Sequence, residues 1–227
     1  MSNSGGESPF DLQAGDGYPI EAYRWQGTDA PRAVVQIAHG MGEHSLRYDR
    51  LGRALSAAGI DLLAVDQRGH GRTAAMAGTP LGALGSAGWD GLVADFALVV
   101  RSTRQERPEI PIVVLGHSMG SWVVQQFLQE HSAEVVGAVL SGTAALEMVL
   151  AGVDPDQELD LTAFNAPFEG STGYEWLSRD PAGSPDTSAS RGAASTMPRT
   201  PAGSSPNPHI GSATYWSTSA GSRLSHS

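Results

Sequence analysis

The chain has 227 residues, enough for one sizeable α/β domain or two very small ones, and a formal net charge of -10 with a pI near 5.0. All fourteen basic residues are arginine and nowhere form a dense basic cluster, which excludes an electrostatic nucleic-acid footprint. The absence of cysteine excludes disulfides, thiolate metal sites and a cysteine nucleophile. No apolar run reaches the length of a membrane span, and the polar residues 1–9 do not read as a signal peptide, so the expectation is a soluble, cytoplasmic protein.

In chain order, residues 10–13 and 20–25 read as an antiparallel hairpin around the turn Ala14-Gly15-Asp16-Gly17. Residues 33–38 (AVVQIA) form a short apolar run expected as a buried strand. Residues 48–58 carry helical spacing at Leu51, Ala54 and Leu55, and Gly59 stops them. Residues 61–65 (DLLAV) give the next strand, and 89–106 an amphipathic helix with Leu92, Phe96, Val99 and Val100 on one side. Residues 111–115 (PIVVL) are a further buried strand, followed by a helix over 119–130 and a last strand over 135–140. Apolar strands joined by helical crossovers imply a mostly parallel sheet covered on both faces, with function at loops after strand carboxyl ends.

Three such loops carry candidate chemistry. Gly116-His117-Ser118-Met119-Gly120 follows a buried strand and opens an apolar helix, the setting a nucleophile elbow requires. A tight bend there holds the Ser118 hydroxyl at the sheet's edge and turns the Met119 amide toward a developing oxyanion. The loop His39-Gly40-Met41-Gly42-Glu43-His44 would bring the Met41 amide in from the opposite side, and two converging amides stabilise a tetrahedral intermediate. Two histidines and a glutamate together raise a metal alternative. The order is not H-E-x-x-H, however, and no third ligand is placed, so His39, Glu43 and His44 read as hydrogen-bonding braces and no metal or cofactor is expected. In the third loop, residues 66–73, Asp66 and Arg68 are expected to pair and brace the turn.

The motifs H-G-M-G-E-H-S-x-R-Y, D-Q-R-G-H-G-R and G-H-S-M-G, in this order, resemble the monoacylglycerol lipase/lysophospholipase branch of the α/β-hydrolase fold, also called serine aminopeptidase S33-type hydrolases. The resemblance runs from about Phe10 to Asp180 and includes 168–180, similar to the cap region of bacterial members. It implies Ser118 as nucleophile, the Met41 and Met119 amides as oxyanion hole, and a small-molecule acyl ester as substrate. The expected organisation is a hydrolase core over 1–143, the start of a cap over 144–180, and a tail over 181–227.

That tail breaks the family pattern. Of its 47 residues, 35 are Pro, Ala, Gly, Ser or Thr, with no helical or strand period, so it reads as lacking regular structure. Family members carry the triad acid and histidine on strands after the cap. Asp186, His209 and His226 are the tail's only candidates, none follows a strand signal, and none is assigned. Asp66, Asp90 and Asp95 precede Ser118, against the fold's order of serine, acid, histidine. The shift after Asp180 is what an out-of-frame ending of a GC-rich gene would produce; a natural tail and a divergent ending are the other readings. Two functions follow: a serine ester hydrolase, or a catalytically dead remnant without triad acid and base.

Overall fold

In a computed structural model of the chain, residues 7–27, 30–145, 165–170 and 175–178 are described. Asp186, His209 and His226, the expected tail and most of the expected cap lie outside them. The strands are β1 (Glu7–Gln13), β2 (Pro19–Trp25), β3 (Val34–Ala38), β4 (Asp61–Val65), β5 (Ile112–His117) and β6 (Gly137–Ser141). The helices are α1 (Asp49–Ala57), α2 (Gly71–Ala77), α3 (Gly88–Glu106) and α4 (Met119–His131).

The six strands form one sheet in the order β1-β2-β4-β3-β5-β6. β1 and β2 pair antiparallel and join the antiparallel edge of β4; β4, β3, β5 and β6 run parallel. The chain leaves β3 for β4 on one side and returns to β5 on the other. The carboxyl ends of β3 and β5 therefore flank the point where strand order reverses, the place such sheets bind ligands.

Successive side chains of a strand point to opposite faces, and each face has its own cover. Tyr23, Trp25, Ile37, Leu62 and Ala64 pack beneath Leu51 and Leu55 of α1. The fit is tight enough that a Cβ at Gly52 would fall 2.5 Å from the Trp25 ring, whose Nε1 donates to Asp49 at 2.8 Å. On the other face Ala38, Ile112 and Val114 pack against Leu92, Phe96 and Val100 of α3 and Val123, Val124 and Phe127 of α4. No described helix is long and apolar enough to cross a membrane.

Two expectations are corrected. The third loop is partly helical: Gly71–Ala77 forms α2, capped by Gly78 at φ 64. Alanines give this segment too little apolar contrast for a period to show. The last strand is not covered on both faces: Val136 is 67% exposed and Val139 48%, and among the described residues β6 has a strand neighbour only on its β5 side.

Candidate functional site

β5 passes into α4 through one residue, Ser118, at φ 50 and ψ −120, and among the described residues it is the only non-glycine with positive φ. Such a conformation is costly and persists only where its surroundings impose it. The Ser118 amide donates to Ser141 O at 2.9 Å, and Ser118 O accepts from the Ser121 amide at 2.8 Å and the Ser121 hydroxyl at 2.6 Å. Glycines permit the bend. A Cβ on Gly116 would fall 2.5 Å from Gly120 O, and one on Gly120 would fall 2.1 Å from Ala38 O. The start of α4 is thus pressed against the end of β3, with its positive dipole end beside Ser118.

The loop after β3 lies on the other side of the serine. A Cβ on Gly40 would come within 3.3 Å of Ser118 Cβ and 3.1 Å of Glu43 Oε2. Glu43 is buried and organises this loop: its Oε2 accepts from the Gly40 amide at 2.8 Å and the Tyr48 hydroxyl at 2.7 Å, and its Oε1 from Arg47 Nε at 2.9 Å. Burial by itself would raise this carboxyl, but the Tyr48 hydrogen bond, the Arg47 charge and the Gly40 amide outweigh burial and hold it below the ordinary value. Met41 and Met119, the two residues expected to supply oxyanion donors, are both buried and belong to one apolar cluster with Ala38 and Trp89.

His39 donates from Nδ1 to Gly40 O at 2.8 Å and accepts at Nε2 from the Gln67 amide at 3.0 Å. Both nitrogens are engaged, so this histidine braces the loop and offers no lone pair to a metal. Gln67 returns a side-chain bond to His39 O at 2.7 Å. Complete burial lowers the His39 pKa to about 4, and burial together with the His39 charge lowers that of His70 to about 4. Glu43 likewise serves as the brace expected of it. Its i, i+4 spacing to Arg47 is the signal that could have placed that pair from sequence.

The expected Asp66–Arg68 pair does not form. Asp66 accepts backbone amides instead, from Ser45 and Arg72, both at 2.8 Å, tying the end of the His39–His44 loop to α2. Arg68 reaches two carboxylates distant in sequence: Asp16 in the hairpin turn at 2.7 Å and Asp95 of α3 at 3.0 Å, beneath the Tyr18 ring at 4.5 Å. Hydrogen bonding to Arg68 holds the Asp16 carboxyl down at about 2, while burial raises that of Asp95 despite the same partner. Two acids from separate elements outcompete the near neighbour because the guanidinium fork accommodates both.

Beyond β6, two short described stretches lie near this site. Asn165 donates its side-chain amide to Glu175 Oε2 at 2.8 Å and accepts from the Trp176 amide at 3.2 Å. Arg47 NH2 donates to Leu177 O at 3.1 Å, bringing residues 175–178 onto the loop after β3. The Arg47–Leu177 contact had no sequence signal, since 130 residues separate the two.

Residues 29–183 match the family model of the serine aminopeptidase S33 hydrolases. The chain is 37% identical over 120 residues to a monoacylglycerol lipase of Mycolicibacterium smegmatis, covering 53% of this chain and 41% of that one. It is 34% identical over 134 residues to human monoglyceride lipase, covering 55% and 39%. The matches thus span about two fifths of these relatives' lengths. Among solved structures, a highly thermostable carboxyl esterase from Bacillus coagulans in complex with glycerol superposes with a TM-score of 0.64 at 27% identity, covering 80% of this chain and 64% of the other. With the family model spanning more than half of the sequence, and the sheet order and strand–helix turn as described, the chain belongs to the serine aminopeptidase S33 family and has an α/β-hydrolase fold.

Proposed function

We propose that this chain carries the nucleophile side of a serine ester hydrolase acting on acylglycerol or lysophospholipid-like carboxylic esters. The observation that carries the reading is Ser118, strained at the end of β5 with Gly40 of the neighbouring loop against it. Ser118 Oγ attacks the acyl carbonyl and loses its proton to a base; the negative oxygen of the tetrahedral intermediate is held by the Met41 and Met119 amides. Collapse expels the alcohol, which takes up the proton, and water then releases the acid from the acyl-enzyme. The ester class is supported by the names of the relatives, monoacylglycerol and monoglyceride lipases.

A second reading, a catalytically dead remnant without triad acid and base, is favoured by one observation: the exposure of Val136, just before β6, and of Val139 within it, on the outer side of the described sheet. Turnover of p-nitrophenyl esters and fluorophosphonate labelling decide between the readings. The 227-residue chain and a chimera extended by the C-terminal part of the mycobacterial relative are compared, each with Ser118→Ala as control. The expected result is feeble or no turnover by the short chain and Ser118-dependent turnover by the chimera, because loss of a triad member removes most of the rate. An inactive, folded chimera would overturn the hydrolase reading.

A further inference from the structure

Glu43 and Arg47 link the Gly40 amide beside Ser118 to the segment 175–178 from far along the chain. Glu43 Oε2 holds the Gly40 amide, Glu43 Oε1 holds Arg47 Nε, and Arg47 NH2 holds Leu177 O. Both side chains are well buried, at 7% and 13% exposure, so these are charge-assisted bonds shielded from water rather than surface pairs. Tyr48 fixes the same carboxylate oxygen that holds Gly40, which leaves Glu43 little freedom to follow Arg47 without moving the loop.

We infer that Glu43 and Arg47 are positioning residues that couple the docking of segment 175–178 to the geometry of the Gly40–Met41 loop. This rests on the hydrolase reading only for its consequence, that the loop supplies an oxyanion donor. When Arg47 engages Leu177 O, its guanidinium is held toward Glu43 Oε1, and the carboxylate keeps Gly40 in place against Ser118. Withdrawal of the segment removes the Leu177 O anchor of the guanidinium and loosens its hold on Glu43. A substrate that displaces or seats this segment thereby changes the donor geometry at the serine.

Two hydrogen bonds report the two ends separately: the Gly40 amide on Glu43 and the Trp176 amide on Asn165. Amide hydrogen exchange is measured by NMR on the full chain and on Arg47→Met, Arg47→Lys and Glu43→Gln. Coupling requires that Arg47→Met and Glu43→Gln each accelerate both amides by about tenfold, while amides of β3 and β5 stay protected. Acceleration confined to the mutated end would overturn the coupling. Arg47→Lys, which keeps the charge but not the fork, should accelerate both amides by a smaller factor, and it supplies the test should Arg47→Met unfold the chain; acceleration of one amide without the other there would overturn the proposal. Arg53→Met, on the exposed Arg53–Asp49 pair of α1, should move neither amide. Exchange needs no turnover, so an inactive, folded chimera would sink the hydrolase reading and leave the coupling result standing.

Discussion

The backbone amide of Ser118 donates to the carbonyl of Ser141 across 2.9 Å, so the residue with the least comfortable backbone is pinned by the outermost described strand. His117, the residue before it, also reaches that strand, its Nδ1 lying 3.2 Å from Ser141 Oγ. The strain at Ser118 is therefore sustained jointly by β6, by the first turn of α4 and by the glycines that let α4 approach β3.

Relief of that strain should be measurable. Glycine adopts φ 50 and ψ −120 without a Cβ penalty, whereas alanine keeps it. Ser118→Gly is expected to be more stable than Ser118→Ala by about 1 kcal/mol, after the entropy glycine loses on folding is subtracted. Urea unfolding of the two variants reads this directly, and equal midpoints would mean the backbone there is not strained.

Gly120 has the opposite sensitivity. A methyl there would meet Ala38 O at 2.1 Å, and the obstacle is strand backbone rather than a flexible side chain. Gly120→Ala should cost about 2–3 kcal/mol despite alanine's better helix propensity, through the rigid approach of α4 to β3. Thermal unfolding checks it; a stabilised variant would show that α4 can shift freely.

Arg68 is buried between Asp16 and Asp95, with Asp95 itself 5% exposed. Arg68→Met should destabilise by about 3–5 kcal/mol, chiefly because the Asp95 carboxylate is left buried without its cation. The double variant Arg68→Met/Asp95→Leu should recover most of that loss. If it is no more stable than the single variant, the Asp16 bond and Tyr18 stacking carry the cost instead.

The His39 and His70 rings meet edge to face at 5.1 Å, both held neutral with pKa near 4. Their folded values lie below the ordinary histidine value near 6.5, so the unfolded chain binds more protons through this window. Their contribution to stability is full above about pH 6.5 and is lost as pH falls toward 4, of the order of 3 kcal/mol for each residue. Denaturant midpoints should drop steeply across that range, and His70→Gln should flatten the slope; an unchanged slope would mean His70 is not protonated on unfolding.

Sequence alone determined the elements whose chemistry is local. The apolar runs of β3, β4 and β5, the helices α3 and α4, and the Gly-x-Ser-x-Gly turn between β5 and α4 were all legible, because strand burial, helix period and glycine spacing are written in adjacent residues. Ser118, Met41 and Met119 followed from those turns, and their roles in catalysis remain a proposal. Tertiary structure alone decided where the hairpin goes, which acids Arg68 takes, and that Asp66 spends its oxygens on backbone amides. It also decided that Arg47 joins Glu43 to Leu177. These choices depend on which distant groups the sheet order brings within about 3 Å, and a hydrogen bond is won by geometry at that distance rather than by proximity in sequence.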